Sequence, residues 1–326
     1  MSVSAGADTP VIALDSVVKL YRQRRPGKFL RPVMTDVRAL DGVSISVDAG
    51  SVVAYAGPNG AGKSTTIKLL CGMLHPTEGS VRVFGLDPAR HRVEVVRRLG
   101  VVFGQRTELW WDQPVSASFD WKRVVWDVPR ARYDRTRDEL VELLGVDELW
   151  DVLARELSLG QRMRADLALA LVHEPEVLVL DEPTLGLDVL AKRTMLDLLR
   201  RLNATKGTTV LVTSHDMADL EQLAARIIMI DHGRLAFDGS FEDLRRLVPD
   251  RRSLVIDIDG TAPVLSDARH VESNGSRHTY EFDAVHTRVA DLLSAAGPSV
   301  RDVETSRLPM DDVIADLYEK WMAARE

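Results

Sequence analysis

The sequence predicts an α/β fold with a buried parallel sheet, an inserted helical subdomain and a small α+β domain towards the C-terminal end. Three observations carry this reading. Compact apolar runs such as "EVLVLDEP" and "TTVLVTSHD" show no alternation, as strands buried on both faces do. Helical periodicity lies between several of these runs, the pattern of an α/β domain. Composition changes twice, at about residue 106 and again after about Val248.

Taken in order, residues 11–21, "VIALDSVVKLY", read as a strand. A basic stretch follows, "RQRRPGKFLRP", in which Pro26, Gly27 and Pro32 break regular structure. Short strands are expected at "VSISV" and "SVVAYAG", then at "LGVVFG", "EVLVLDEP", "TTVLVTSHD" and "RIIMIDHG". Residues from about 106 to 165 are charged and rich in tryptophan. Trp110, Trp111, Trp121, Trp126 and Trp150 fall there, and only Trp321 lies elsewhere. This clustering predicts a helical subdomain with its own small core. After Val248, "RSLVIDID", "HTYEFD" and "VRDVETSRL" read as strands, and "VHTRVADLLSAAG" and "MDDVIADLYEKWMA" as helices. The expected domains are residues 1–247, with the helical insertion at about 106–165, and an accessory domain at 248–326.

The chain has 326 residues, a net charge of −7 and 45% hydrophobic residues, which suits roughly two globular domains. Mild acidity argues against a nucleic-acid partner, which calls for a concentrated basic face. No apolar run approaches the ~18–20 residues of a membrane span. The stretch "MSVSAGADTPVIALD" has neither a basic n-region nor a long apolar h-region, so no signal peptide is expected. A single cysteine, Cys71, excludes an internal disulfide and a cysteine metal cluster. It lies at helical spacing with Ile67, Leu70 and Leu74 and reads as a buried core thiol.

"GPNGAGKST" spans Gly57, Pro58, Asn59, Gly60, Ala61, Gly62, Lys63, Ser64 and Thr65. It satisfies G-x-x-x-x-G-K-[ST] between a strand and a helix, the setting in which backbone amides wrap phosphate oxygens. Lys63 is expected to reach the β- and γ-phosphates, and Ser64 to coordinate Mg²⁺. "VLVLDEP" ends a buried strand in Asp181 and Glu182. One carboxylate there can hold Mg²⁺ through water, and its neighbour can take a proton from attacking water. These parts define a nucleotide hydrolase without saying which; a GTPase, a small-molecule kinase and a transport ATPase all fit.

"LSLGQRMR", Leu157 to Arg164, reads as a helix start in which Ser158 and Gln161 form a capping box. Gly160 in the first turn is costly for a helix, so a close approach to this backbone is inferred. With this stretch the chain resembles the ATP-binding-cassette (ABC) ATPases over about residues 10–245. "GPNGAGKST" is their phosphate loop, and Gln105 in "VVFGQR" is placed like their Q-loop glutamine. "LSLGQ" resembles their LSGGQ signature, "LVLDEP" their metal and base strand, "LGLD" ending in Asp188 their D-loop, and His215 in "TSHD" their switch histidine. Tyr21 is placed like the aromatic that stacks on adenine.

The resemblance implies a P-loop NTPase core with an antiparallel β subdomain beside the helical one, and ATP and Mg²⁺ as ligands. It implies a head-to-tail dimer, with itself or with a paralogous ATPase, in which Ser158, Gly160 and Gln161 of one subunit cap the γ-phosphate held by the other. Glu182 is then the general base, while Asp181, Ser64 and Gln105 surround Mg²⁺ or the water. His215 bonds the γ-phosphate, and Asp188 seals the interface. Leu159 departs from the family's glycine. Its backbone amide is expected to serve in glycine's place, with its side chain turned towards the helical subdomain or the permease-facing side.

"FGQRTELWWD" and "SLGQRMRADLALAL" resemble ATPase subunits of exporter-type systems whose permease is a separate chain. That implies a peripheral position at the cytoplasmic face of the membrane. Trp110 and Trp111 either line a groove for the permease or pack inside the helical subdomain. The basic stretch from Arg22 to Arg31 reads as a solvated loop, with anionic lipid headgroups as the other reading. A soluble ABC ATPase acting on ribosomes or nucleic acid is the competing class. Such proteins usually carry two cassettes or long coiled-coil insertions, and this chain has neither. A phosphotransferase would lack the signature and the switch histidine.

Overall fold

The computed structural model describes residues 10–25, 33–104, 106–214, 216–258 and 261–323. The chain divides into two compact units, Met1–Gly239 and Ser240–Glu326.

In the first unit, β1 (Ile12–Arg25) and β2 (Val33–Val47) pair antiparallel from Ile12 opposite Val47 to Arg25 opposite Val33. The first strand therefore runs on past Tyr21. Arg22–Arg25 carry no apolar pattern, but an antiparallel ladder is held by backbone groups that do not depend on side chains. Pro26, Gly27 and Pro32 lie outside the described residues. Next come β3 (Val52–Ala56), α1 (Lys63–Leu70) and β4 (Glu78–Val83). β4 completes a three-stranded antiparallel sheet of order β2-β1-β4, the expected antiparallel β subdomain. Cys71, just after α1, is buried as expected, and burial pushes its thiol up to about 12.

After α2 (Arg92–Val96) and β5 (Leu99–Phe103) the chain enters the helical subdomain, with α3 (Val115–Val125), α4 (Arg130–Leu144) and α5 (Leu159–Leu171). Pro114 and Pro129 stand immediately before α3 and α4, where a fixed φ and a missing amide cost nothing. Gly145, at φ 56, ends α4 in the left-handed conformation that caps helix C-termini. The subdomain core is built from Phe119, Tyr133, Leu140, Leu144 and Leu149 rather than from the tryptophans. Trp150 packs on Phe119 with ring centroids 4.9 Å apart. Trp110, Trp111 and Trp121 remain 43%, 48% and 40% exposed, and the Trp110 and Trp121 rings lie 5.7 Å apart, tilted by 50°.

The unit closes through β6 (Val177–Asp181), α6 (Val189–Lys206), β7 (Thr209–Thr213), α7 (Met217–Leu223), β8 (Arg226–Asp231) and β9 (Arg234–Ser240). The central sheet has six strands in the order β5-β6-β7-β3-β8-β9, and pairing is parallel from β5 to β8. Every residue of β7 is buried, which is why its sequence shows no alternation. Each fully buried Val or Leu of this sheet contributes roughly 1.5–3 kcal/mol relative to exposure. Register places Phe103, Asp181 and Thr213 side by side at the carboxyl edge, where open α/β sheets bind ligands.

The second unit holds α8 (Phe241–Arg245), β10 (Arg251–Ile258), β11 (Ala268–Asn274), β12 (Arg277–Asp283), α9 (Val289–Ala296), β13 (Val300–Arg307) and α10 (Met310–Ala323). Its sheet is antiparallel in the order β11-β12-β10-β13. Leu254, Ile256, Ile258, Tyr280 and Phe282 cluster with Leu292 of α9. α8 opens on a capping box of Ser240 and Asp243 and belongs to this unit, so the division lies upstream of the expected 247/248 boundary. β11 has no counterpart in the sequence reading, because none of its residues is buried and no alternation marks it. No helix among the described residues is long and apolar enough to cross a membrane.

Candidate functional site

The phosphate loop leaves β3 at Ala56 and becomes α1 at Lys63. Gly57 and Gly62 stand at φ 155 and 115. A Cβ on Gly57 would lie 2.3 Å from the Ile230 carbonyl oxygen, and one on Gly62 would lie 2.6 Å from that of Ala39. Backbone conformation and packing inside the chain therefore both demand glycine here. No side chain caps α1 at Gly62, so its first amides and its dipole are offered to an anion.

Lys63 is 7% exposed, and its ammonium donates to the carbonyls of Gly57 at 2.6 Å and Pro58 at 3.2 Å. Burial lowers its pKa, against the opposing pull of the Glu182 and Asp181 carboxylates, so the charge sits between the loop and the end of β6. Ser64 is exposed and Thr65 half-buried. The Tyr21 hydroxyl lies 3.4 Å from Thr65 Oγ1, which brings β1 to the mouth of the loop.

At the end of β6, Asp181 Oδ1 accepts the Thr213 hydroxyl at 2.8 Å. The Glu182 amide donates to the Thr213 carbonyl at 3.0 Å and to its Oγ1 at 3.1 Å. Glu182 stands at φ 58, a left-handed conformation that a non-glycine residue adopts only when its surroundings impose it. Gly104 is part of that imposition. Its amide donates to Asp181 O at 2.7 Å, and a Cβ on it would lie 2.5 Å from Glu182 O. The sequence reading passed over Gly104. Its only signal was a glycine ending an apolar strand beside Gln105. Gln105 and His215 themselves lie outside the described residues.

The signature residues form a second group. Ser158 caps α5 in a full capping box: its Oγ accepts from the Gln161 amide at 3.2 Å, and Gln161 Oε1 accepts from the Ser158 amide at 2.9 Å. Leu159 is the first residue of α5 and is absent from the positive-φ residues, so leucine stands there without strain. Its side chain reaches over Gly186, where a Cβ would lie 2.7 Å from Leu159 Cδ2, and Leu159 also lines a cavity with Trp111, Arg162 and Met163 of the helical subdomain. The contact is available because Gly186, at φ 75, leaves open the space a side chain would fill. A Cβ on Gly160 would meet Ala191 and Leu187 at 3.6 and 3.8 Å, ordinary contact distances. Asp188 caps α6 by accepting from the Ala191 amide at 2.8 Å. Ser158, Gly160, Gln161 and Asp188 line one groove, and no phosphate-loop residue lines it. Leu185, Val189 and Leu190 are exposed beside it.

Residues 40–185 match the ABC transporter family. The daunorubicin/doxorubicin resistance ATP-binding protein DrrA of Streptomyces peucetius is 38% identical over 215 residues, 65% of this chain and 64% of that protein. The match thus spans just under two thirds of that relative's length. The daunorubicin resistance ATP-binding protein DrrA3 of Streptomyces coeruleorubidus is 32% identical over 292 residues, 86% of this chain and 92% of that one. The methionine import ATP-binding protein MetN of Halalkalibacterium halodurans is 30% identical over 240 residues, 72% of this chain and 68% of that one. Among solved structures, a dimeric post-hydrolysis state of an ATP-binding cassette bound to ADP and phosphate superposes with a TM-score of 0.61 at 25% identity, covering 70% of this chain and 98% of that one. The chain belongs to the ABC transporter family as an ATP-binding subunit. The cassettes of this family are ATPases.

Proposed function

We propose that this chain hydrolyses ATP in a head-to-tail dimer and drives export through a separate permease at the cytoplasmic face of the membrane. The observation that carries the dimer is Gly160. Nothing among the described residues requires glycine there, yet it sits in the first turn of a helix, where alanine would be better by roughly 0.5–1 kcal/mol. A phosphate brought by a second subunit supplies the missing reason, and the exposed Leu185, Val189 and Leu190 beside the groove supply apolar area for that subunit to cover. Export is favoured over import by the reach of the likeness. The 292 residues aligned with the S. coeruleorubidus resistance protein exceed the 239 of the first unit, whereas the 240 aligned with the import protein match that unit in length. The second unit is then an interaction or regulatory module of resistance-type systems.

In this reading the amides of the phosphate loop and Lys63 bind the β- and γ-phosphates, and Tyr21 stacks on adenine. The donor set suits Mg²⁺: the exposed Ser64 hydroxyl and the Asp181 carboxylate are hard oxygens, and Thr213 occupies only Oδ1 of the latter. No group of three or more His, Cys, Asp or Glu that could hold a metal occurs among the described residues, in keeping with an ion that relies on nucleotide oxygens. Bound there, Mg²⁺ would neutralise phosphate charge. Glu182 accepts the proton of the attacking water, and the left-handed backbone aims its carboxylate. Gln105 and His215 keep the roles the family resemblance assigns. Ser158, Gly160 and Gln161 complete the γ-phosphate cage of the partner, and the Leu159 amide serves beside them. Once Ser158 bonds phosphate, its cap on α5 is shared.

Glu182→Gln tests the assignment. Loss of a general base costs about 10²–10⁴-fold in turnover. ATP binding should survive, so an ATP-bound dimer should accumulate in sedimentation with Mg-ATP. Turnover within a few-fold of the parent would refute the role of Glu182, and a strict monomer with ATP would refute the dimer.

A further inference from the structure

On either side of Gln105, which lies outside the described residues, the chain is tied down. On one side the Gly104 amide bonds Asp181 O, and its Cα packs against Glu182 O. On the other side the ties run to two helices of the helical subdomain. Asp166 of α5 accepts the Thr107 hydroxyl at 2.9 Å and the Glu108 amide at 3.0 Å, both on Oδ1. Thr107 Oγ1 in turn accepts the Leu109 amide at 3.0 Å. From α3, buried Ser118 accepts the Trp110 amide at 2.9 Å, and buried Lys122 pairs with Glu108.

Asp166 is out of place on physical grounds. It is 8% exposed, in a stretch of α5 where Ala165, Leu167, Ala168 and Leu169 are all buried. A carboxylate there costs desolvation, and burial raises its pKa to about 6 against the hydrogen bonds from Thr107 and Glu108. Glu108 is the charged neighbour that adds to the rise, and Arg106 and Arg162 line the same cavity. An apolar residue would suit the helix better, so the carboxylate is kept for the turn it holds.

We propose that Asp166 is a positioning residue for hydrolysis: by fixing the Thr107–Glu108 turn to the signature helix, it fixes Gly104 and hence the Asp181–Glu182 strand end. The inference rests on the ATPase reading only for its kinetic consequence. The mechanical part is a property of this chain alone.

The test compares Asp166→Leu, Asp166→Asn and Thr107→Val with the parent chain by amide hydrogen exchange, ATP-analogue titration and ATPase rate. Asp166→Leu should speed exchange at the Gly104 amide about tenfold or more, since local openings set such rates. It should lower kcat about tenfold while leaving nucleotide Kd within about twofold, the pattern of an interaction that serves the reaction rather than ground-state binding. Asp166→Asn retains an oxygen acceptor and should restore both Gly104 protection and most of kcat. Should Asp166→Leu fail to fold, Thr107→Val should give the same pattern at smaller amplitude. Loosening confined to Glu108 with Gly104 still protected, or an unchanged kcat, overturns the proposal. A parent chain without ATPase activity would refute the ATPase reading instead, and the Gly104 exchange result would still decide the mechanical part.

Discussion

The phosphate loop and the signature both depend on glycine, but for opposite reasons. Gly57 and Gly62 are held at positive φ, and their α-carbons press on backbone carbonyls of β8 and β2. Their need for glycine is complete within one chain. Gly160 lies in a regular helix with room for a Cβ. Its need for glycine becomes intelligible only when a second molecule approaches. The first kind of site is part of the fold and should be felt in stability. The second is part of an assembly and should be felt in activity alone.

The largest effect is expected at the first kind of site. Gly62→Ala would force a Cβ within 2.6 Å of Ala39 O at φ 115. Strain of this sort typically costs about 1–3 kcal/mol and more where the neighbour is backbone. A clear drop in thermal melting together with loss of nucleotide binding is expected. A variant that melts like the parent would break the contrast from the side of the phosphate loop.

Gly160 should give the reverse pattern. Gly160→Ala should hold or raise stability, by up to about 1 kcal/mol from helix propensity, while hydrolysis falls. Gly160→Asp should abolish hydrolysis without unfolding the subunit, because a carboxylate would face phosphate. Melting curves and ATPase rates on the same samples decide the matter. Normal hydrolysis by Gly160→Asp would mean that no phosphate comes near this turn.

The smallest effect is expected for Leu159→Gly. The amide stays, and the side-chain contact over Gly186 is removed. The cost should be about 1 kcal/mol or less in stability, with ATP-dependent dimerisation preserved. Abolished hydrolysis in a well-folded Leu159→Gly protein would show that the side chain itself, through its seat on Gly186, organises the groove.

The proposed site was legible in the sequence to the extent that it is local. A phosphate loop, a capping box and a pair of acids ending an apolar strand are chemistries of consecutive residues, set by spacing along one segment. The capping box of Ser158 and Gln161 and the strand end at Asp181 were readable for that reason. Gly104 and Asp166 were not. Gly104 matters only because β5 and β6 are neighbours in the sheet, and Asp166 only because α5 folds back onto the segment after β5. Each was a plain glycine or a stray acid until a partner distant in sequence came beside it.

The sequence by itself determined the class of fold, the nucleotide chemistry and the family, because buried strands, helix starts and phosphate cradles each impose a local pattern. The tertiary structure decided where surfaces meet. It carried β1 into the basic stretch as far as Arg25, because ladder hydrogen bonds need no apolar side chains. It added β11 at the rim of the second sheet, where exposure of every residue after Ala268 erases alternation. It left Trp110, Trp111 and Trp121 partly exposed, while Phe119 and Tyr133 filled the core. It also seated Leu159 on Gly186. Burial is a property of pairs of surfaces, and a residue's own identity states only what it would gain by burial.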